Sequence, residues 1–191
     1  IFLPIHWSRG ASDVKIIADF HIHSKYSRAT SKDMEVETLA WFAKKKGIHL
    51  LGTGDFTHPQ YYKELQEKLE PLGNGLFKLK KEKSSVHFIL TAETSHIFSV
   101  HGKTKRVHVI LFAPSFEVVL KINQQLARRG NIASDGRPIF GMHVKDMVKI
   151  LMDISPILPR NCWIFNCLVL GNPCIDHPAD EPQCSFKVHG I

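Results

Sequence analysis

Asp19-Phe20-His21-Ile22-His23-Ser24 is the stretch on which the reading of this chain turns. It follows the apolar run Val14-Lys15-Ile16-Ile17-Ala18, which predicts a buried strand. Side chains two apart in an extended segment point the same way, so His21 and His23 project together from the end of that strand. Two imidazoles beside a carboxylate supply half the donors of a transition-metal site. A His-x-His taken alone is equally compatible with two packed or solvated histidines, so its meaning depends on the downstream residues.

Toward the C-terminus, the loop from His21 to Lys32 leads to a helix from about Met34 to Lys46. Val36, Leu39, Ala40 and Ala43 give that helix an apolar face, and Gly47 suits its C-terminal cap. Ile48 to Leu51 reads as the next strand, ending in the turn Gly52-Thr53-Gly54-Asp55. Pro59 opens a second helix with Tyr62, Leu65 and Leu69 inward, and Pro71, Gly73, Asn74 and Gly75 end it. Val86 to Ala92 is a third strand with Glu93 at its end. His96–Val100 and Arg106–Phe112 form a hairpin turning at Gly102. Ser115 caps a helix running to Arg129, and a short helix covers Lys145 to Ile154. Strands alternating with helices predict an α/β protein with a mainly parallel sheet. No G-x-x-x-x-G-K-[ST] is present, so a P-loop motor is not supported.

The chain has 191 residues, of which 43% are hydrophobic, enough for one domain with a real core. Lys plus Arg is 25 against 18 for Asp plus Glu, a net charge of +7, which weakly favours a polyanionic partner such as nucleic acid. No apolar run approaches the ~20 residues of a membrane helix, and Ile1 to Gly10 lacks the core of a signal peptide. We therefore expect a soluble cytoplasmic protein with no membrane partner. All four cysteines lie between Cys162 and Cys184, without the paired spacing of a zinc ribbon. After Ser155-Pro156 the periodicity fades. Residues 157–191 read as an irregular tail, 1–13 as an N-terminal extension, and 14–156 as the folded unit. The chain begins at Ile1 with no initiator methionine, so we expect either a fragment or upstream sequence read through into the protein.

The chemistry-bearing residues fall at predicted strand ends. His21 and His23 follow the first strand, Asp55 the second, Glu93 the third, and His108 lies on the hairpin's return strand. In α/β barrels such positions converge on one site. Imidazoles and carboxylates together suit Zn²⁺ or Mn²⁺, and two such ions about 3.5–4 Å apart can clamp a phosphoryl displacement and activate a water. Lys25, Arg28 and Arg137 lie near the same end, where they could hold phosphates. Each residue also has a local explanation. Asp55 could cap the helix at Pro59, Glu93 could pair with a surface lysine, and His108 could be a core histidine between Val107 and Val109. His58 could simply start a helix. Lys103, Lys105 and Arg106 read as a solvated hairpin tip. Lys44, Lys45 and Lys46 complement a helix C-terminus.

Ala18-Asp19-Phe20-His21-Ile22-His23-Ser24 resembles the first motif of PHP (polymerase and histidinol phosphatase) domains. The segments Lys25 to Met34, Gly52-Thr53-Gly54-Asp55-Phe56-Thr57-His58-Pro59 and Ser134-Asp135-Gly136-Arg137-Pro138 are similar to the endonuclease Q branch. The resemblance runs from about Val14 to Pro156. It implies a distorted, TIM-like (β/α)7 barrel and a site of two or three divalent ions, Zn or Mn and possibly Mg. It further implies a DNA-repair endonuclease that cuts 5′ to deaminated bases (uracil, hypoxanthine) or at abasic sites. His21, His23, Asp55, Glu93 and His108 match its ligand positions, and Asp55, Lys25, Arg28 and Arg137 are the catalytic candidates.

Two later histidine motifs of the family have no counterpart after Pro156, and Asp176-His177 does not replace them. The expectation is an incomplete barrel, its N-terminal part only, that cuts damaged DNA poorly. The other readings are a PHP phosphoesterase acting on a small phosphate ester and a non-catalytic metal or nucleic-acid binding module.

Overall fold

A computed structural model describes residues 2–8, 13–81, 83–154 and 164–166, with side chains described over 16–81 and 83–154. Strand β1 (Phe2–Ser8) pairs antiparallel along the whole of β2 (Asp13–Asp19). Helix α1 (Val36–Lys45) crosses to β3 (Leu50–Gly52), which lies parallel to β2. Helix α2 (Pro59–Lys68) and a hairpin of β4 (Leu69–Gly73) and β5 (Leu76–Leu79) lead to β6 (His87–Val100). Then come β7 (Lys103–Ala113), α3 (Phe116–Ala127), β8 (Ile139–Phe140), α4 (Val144–Ile154) and β9 (Ile164–Asn166).

β6 is the spine of the sheet. Its first residues lie between β3 and β5, and from Leu90 onward it pairs with β7. Ser95 and His96 also face β8 in parallel. β9 adds to the far edge of β7. The sheet is mixed and not mainly parallel. Among the described residues, only the β2–β3, β3–β6 and β6–β8 ladders are parallel. A parallel sheet requires a crossover between strands, whereas tight turns build the β4–β5 and β6–β7 hairpins among the described residues.

One of those turns is Asn74-Gly75, the strongest short hairpin signal there is. Asn74 has φ 53° and Gly75 φ 79°, and the chain folds back between β4 and β5 where a plain helix stop was expected. Leu69 accordingly starts a strand instead of closing α2, and Tyr61, not Tyr62, is the fully buried tyrosine of that helix. The other turn is His101-Gly102, with both residues left-handed at φ 49° and 74°. It joins Val100 directly to Lys103 in register.

The expected helix signals operate. Pro59 is the first residue of α2, and Ser115 caps α3 by accepting a hydrogen bond from the Val118 N–H. The apolar stripes of the four helices among the described residues enter one core with Phe88, Leu90, Val109 and Leu111. On the opposite side of β7, by the two-residue alternation of a strand, Ile110 and Phe112 join Ala18 and Phe20 in a second, small cluster. The rings of Phe20 and Phe112 meet edge to face at 5.3 Å. This second face carries the site. The cysteines, Asp176, His177 and most of the predicted tail lie outside the described residues.

Candidate metal centre

β2 ends at Asp19, whose carboxylate accepts a hydrogen bond from the His21 N–H at 3.2 Å. The next turns are tight. Ser27 N–H bonds back to the Ser24 carbonyl, and the Thr30 hydroxyl donates to the carbonyls of Ser24 and Ser27. This ties down the loop after the histidine pair. The β3 loop packs directly against it. Gly54 has φ 67°, and a Cβ there would collide with the Ile22 carbonyl oxygen, so only glycine lets the two backbones approach. Asp55 comes next, in the left-handed region at φ 47°, and is 0% exposed.

Glu93 is the centre of the cluster. It is 2% exposed and sits in the middle of β6, not at a strand end as its sequence position suggested. Its Oε2 lies 3.3 Å from His21 Nε2 and 3.0 Å from His23 Nε2. Its Oε1 lies 2.6 Å from His108 Nδ1. Asp55 reaches the same group from the side, with Oδ1 3.0 Å from His23 Nδ1. The five residues singled out as ligands are thus brought together, although they come from four separate segments.

Their roles differ in geometry. Ligand atoms of His21, His23 and Glu93 all lie within 4.8 Å of one another, so one ion could touch all three. His108 addresses the other oxygen of Glu93. Asp55 Oδ2 is occupied by Ser24 N–H at 2.6 Å, Ser24 Oγ at 2.7 Å and Ser27 Oγ at 2.9 Å.

Electrostatics follow from this packing. Burial pulls the His23 pKa down, but its bonds to Asp55 and Glu93 outweigh that and raise it to about 9. Burial pushes the Glu93 carboxyl up, and the hydrogen bonds from His21 and His23 outweigh it and hold the acid well below its usual range. A buried carboxylate ringed by imidazoles requires positive charge. A divalent cation satisfies that demand while leaving the imidazoles neutral, and the nitrogen and oxygen donors are of the right type. The residues therefore fit a divalent metal ion.

The basic candidates separate. Arg137 joins the cluster, with Nη1 3.7 Å from Glu93 Oε2 while 42% of its side chain is exposed. Arg28 stays at the rim, 78% exposed, with Nε 3.3 Å from Asp135 Oδ2. Lys25 does not reach the cluster. Its Nζ lies 2.8 Å from Glu35 and 3.1 Å from Glu64, a bridge that braces the loop against α2. His58 is also apart, stacked on Tyr26 at 4.2 Å and bonded to the Ala133 carbonyl. Burial lowers its pKa.

Ser24, Ser27, Asp135 and Gly136 lie within the motifs that carry the resemblance, but the sequence assigns them no role of their own. Asp135 Oδ1 accepts from the N–H groups of Arg28 and Arg137, so one acid joins both basic loops. Gly136 lies against Asp55, and a Cβ there would strike the Asp55 carboxylate and the Ser27 hydroxyl.

No protein-family model matches the chain. It is 32% identical over 146 residues to the uncharacterized protein MJ0043 of Methanocaldococcus jannaschii, a match covering 75% of this chain and 16% of that protein. The lesion-specific endonuclease PfuEndoQ from Pyrococcus furiosus superposes with a TM-score of 0.63 at 30% identity, over 77% of this chain and 33% of its own. An endonuclease Q in complex with a 27-mer duplex bearing an abasic lesion at the active site gives a TM-score of 0.61 at 34% identity, over 72% of this chain and 32% of its own. The chain thus spans about a sixth of the curated relative and about a third of each nuclease, and over that span its mixed α/β fold is similar to endonuclease Q.

Proposed function

We propose that this chain carries the metal-binding part of a DNA-repair endonuclease that cuts a strand beside an abasic site or a deaminated base, uracil or hypoxanthine, on the 5′ side. The observation that carries the reading is the buried Glu93 facing His21, His23 and His108 with both of its oxygens. The similarity to two endonuclease Q structures supports the choice of DNA as substrate. The parallel run β2–β3–β6, with α1 and α2 on its crossovers, supports reading the sheet as the opening units of a distorted β/α barrel.

His21, His23, Glu93 and His108 would hold the ions. A bound divalent cation supplies Lewis-acid activation of the phosphodiester and of the attacking water. The chain's own groups do the rest. Arg137 keeps one nitrogen toward Glu93 and presents the remainder of its fork outward, where it can take two oxygens of a phosphate. Arg28, on the adjoining loop, takes a neighbouring phosphate. Asp135 fixes the spacing between them.

The test is a labelled duplex with a single abasic site, incubated with the chain and Mn²⁺ or Zn²⁺. Slow nicking at the lesion, absent with a chelator and in Glu93→Gln, is the expected result. Metal-dependent release of phosphate from a small phosphomonoester without any nicking would replace this reading with a phosphoesterase. Metal uptake with turnover of neither substrate would leave a binding module.

A further inference from the structure

The family resemblance implies that Asp55 is a metal ligand, and its contacts in the structure bear on which part it plays. Every contact its carboxylate makes is with protein, three at Oδ2 and one at Oδ1. Oδ2 takes the Ser24 N–H, the Ser24 hydroxyl and the Ser27 hydroxyl, and Oδ1 faces His23 Nδ1. The side chain is fully buried, its backbone is left-handed, and Gly136 closes over it so tightly that no Cβ fits. The residues whose donor atoms converge are His21, His23 and Glu93, without Asp55.

We infer that Asp55 is a positioning residue that holds the His23 ring with Nδ1–H toward itself and Nε2 free for a metal ion. The inference rests on the metal-site reading above. Ligating histidines characteristically give their second ring nitrogen to a carboxylate, which fixes tautomer and orientation, and loss of that partner weakens metal binding by about 10- to 100-fold. Here the seat for the carboxylate is built from a backbone N–H and two hydroxyls, so its direction is set before any ion arrives.

Asp55→Asn is the discriminating variant. The Ser24 N–H cannot turn away, so the carboxamide oxygen must take that corner and the NH₂ must face His23 Nδ1. His23 then carries its proton on Nε2, the atom needed for the ion.

The experiment titrates the metal-free chain with Co²⁺ and Zn²⁺ and records the visible Co²⁺ spectrum at saturation, with thermal melts to check folding. The expected result for Asp55→Asn is affinity lowered by about 10- to 100-fold with the saturated spectrum unchanged. Ser27→Ala, which removes one of the three donors to Asp55 Oδ2 together with a hydroxyl 3.2 Å from His23 Nδ1, weakens affinity by a smaller factor and also keeps the spectrum. A saturated spectrum altered in Asp55→Asn would mean that Asp55 coordinates the ion, overturning the positioning role while leaving the metal site intact. Affinity unchanged in Asp55→Asn would also overturn it. No uptake of either metal by the wild-type chain would overturn the metal-site reading and this inference together. If Asp55→Asn melts early, the same measurements on Ser27→Ala decide, since unchanged affinity there would overturn the role of the seat.

Discussion

Glu93 and His108 touch across the β6–β7 hairpin at 2.6 Å without being register partners. Glu93 stands opposite Ile110 and His108 opposite Ser95, so the two are diagonal neighbours on one face of the sheet. Half of the candidate centre is therefore set by the register of a single hairpin, and that register is set by the two left-handed residues His101 and Gly102.

Removing the charge at the middle of this arrangement should remove the ion. Glu93→Gln keeps the shape but leaves His21, His23 and His108 without their shared anion. We expect Zn²⁺ uptake, measured by equilibrium dialysis, to fall more than about 100-fold, since on the proposed reading Glu93 would itself be a ligand and not only an orienting group. The far-ultraviolet circular dichroism should stay that of the wild type. Uptake within a few-fold of wild type would mean that Glu93 is not at the centre of the site.

DNA affinity should depend on the two arginines and not on Lys25. Arg137→Ala and Arg28→Ala are each expected to lower the slope of log affinity against log salt by about 1, one phosphate contact apiece. Lys25→Met is expected to leave that slope unchanged, because its ammonium is already held between Glu35 and Glu64. Fluorescence anisotropy on a labelled duplex at several salt concentrations measures this. A slope reduced in Lys25→Met and untouched in Arg137→Ala would reverse the assignment.

Lys25→Met should instead act on stability. The hydrogen bonds from Lys25 and then Lys68 lower the Glu35 pKa to about 2. A depressed carboxylate pKa stabilises the fold above the unfolded value near 4.5 and loses that contribution as pH falls toward 2. The groups are partly exposed, so the pair is worth only ~1 kcal/mol. Urea unfolding at pH 7 should show that loss in Lys25→Met, with the difference from wild type shrinking below about pH 3. An equal difference at both pH values would remove ion pairing as its cause.

His96 predicts a second pH effect. It is fully buried on β6, with its Nε2 3.0 Å from the Thr94 hydroxyl. Burial lowers its pKa to about 4, and the nearby His108 and His143 act in the same direction. The fold keeps it neutral, so its contribution is intact above the unfolded pKa near 6.5 and is lost as pH falls through 4. A difference of this size corresponds to about 3 kcal/mol. His96→Gln should flatten the fall in stability between pH 6.5 and 4. A variant that loses stability in parallel with wild type over that window would exclude His96 as the origin.

Much of the site is legible in the sequence because its residues sit where period and punctuation are informative. His21 and His23 are two apart at the end of an apolar run, and Asp55 comes after a glycine-marked turn. Glu93 is legible as a site residue but not in its place in the fold. The polar run Thr91-Ala92-Glu93-Thr94-Ser95 looks like a strand ending, yet every residue of it is buried and β6 continues through it. Patterning assumes that one face of a strand meets water, and it fails where both faces are covered. The β4–β5 hairpin is hidden for a different reason. Asn74-Gly75 stands next to Pro71 and Gly73, and together these residues read as a helix stop. Ser24, Ser27 and Gly136 carry no periodic signal. Their importance comes from contacts with Asp55 that span 28 or more positions, beyond the reach of local pattern.

The long hairpin also has a consequence in time. Pairing along β6 and β7 zips from Val100–Lys103 to Leu90–Ala113, all of it local in sequence and closed by a turn with strong intrinsic preference. The parallel pairing that brings β2 and β3 to β6 has to close much longer loops first. Local contacts form early in folding and distant parallel ones late. Glu93 and His108 should therefore meet before His21 and His23 arrive, so that an anionic half-site exists on the nascent hairpin while the rest of the chain is still searching. Metal present during refolding would then act on the order of events as well as on the final stability, speeding the docking of the histidine strand onto a hairpin already waiting for it.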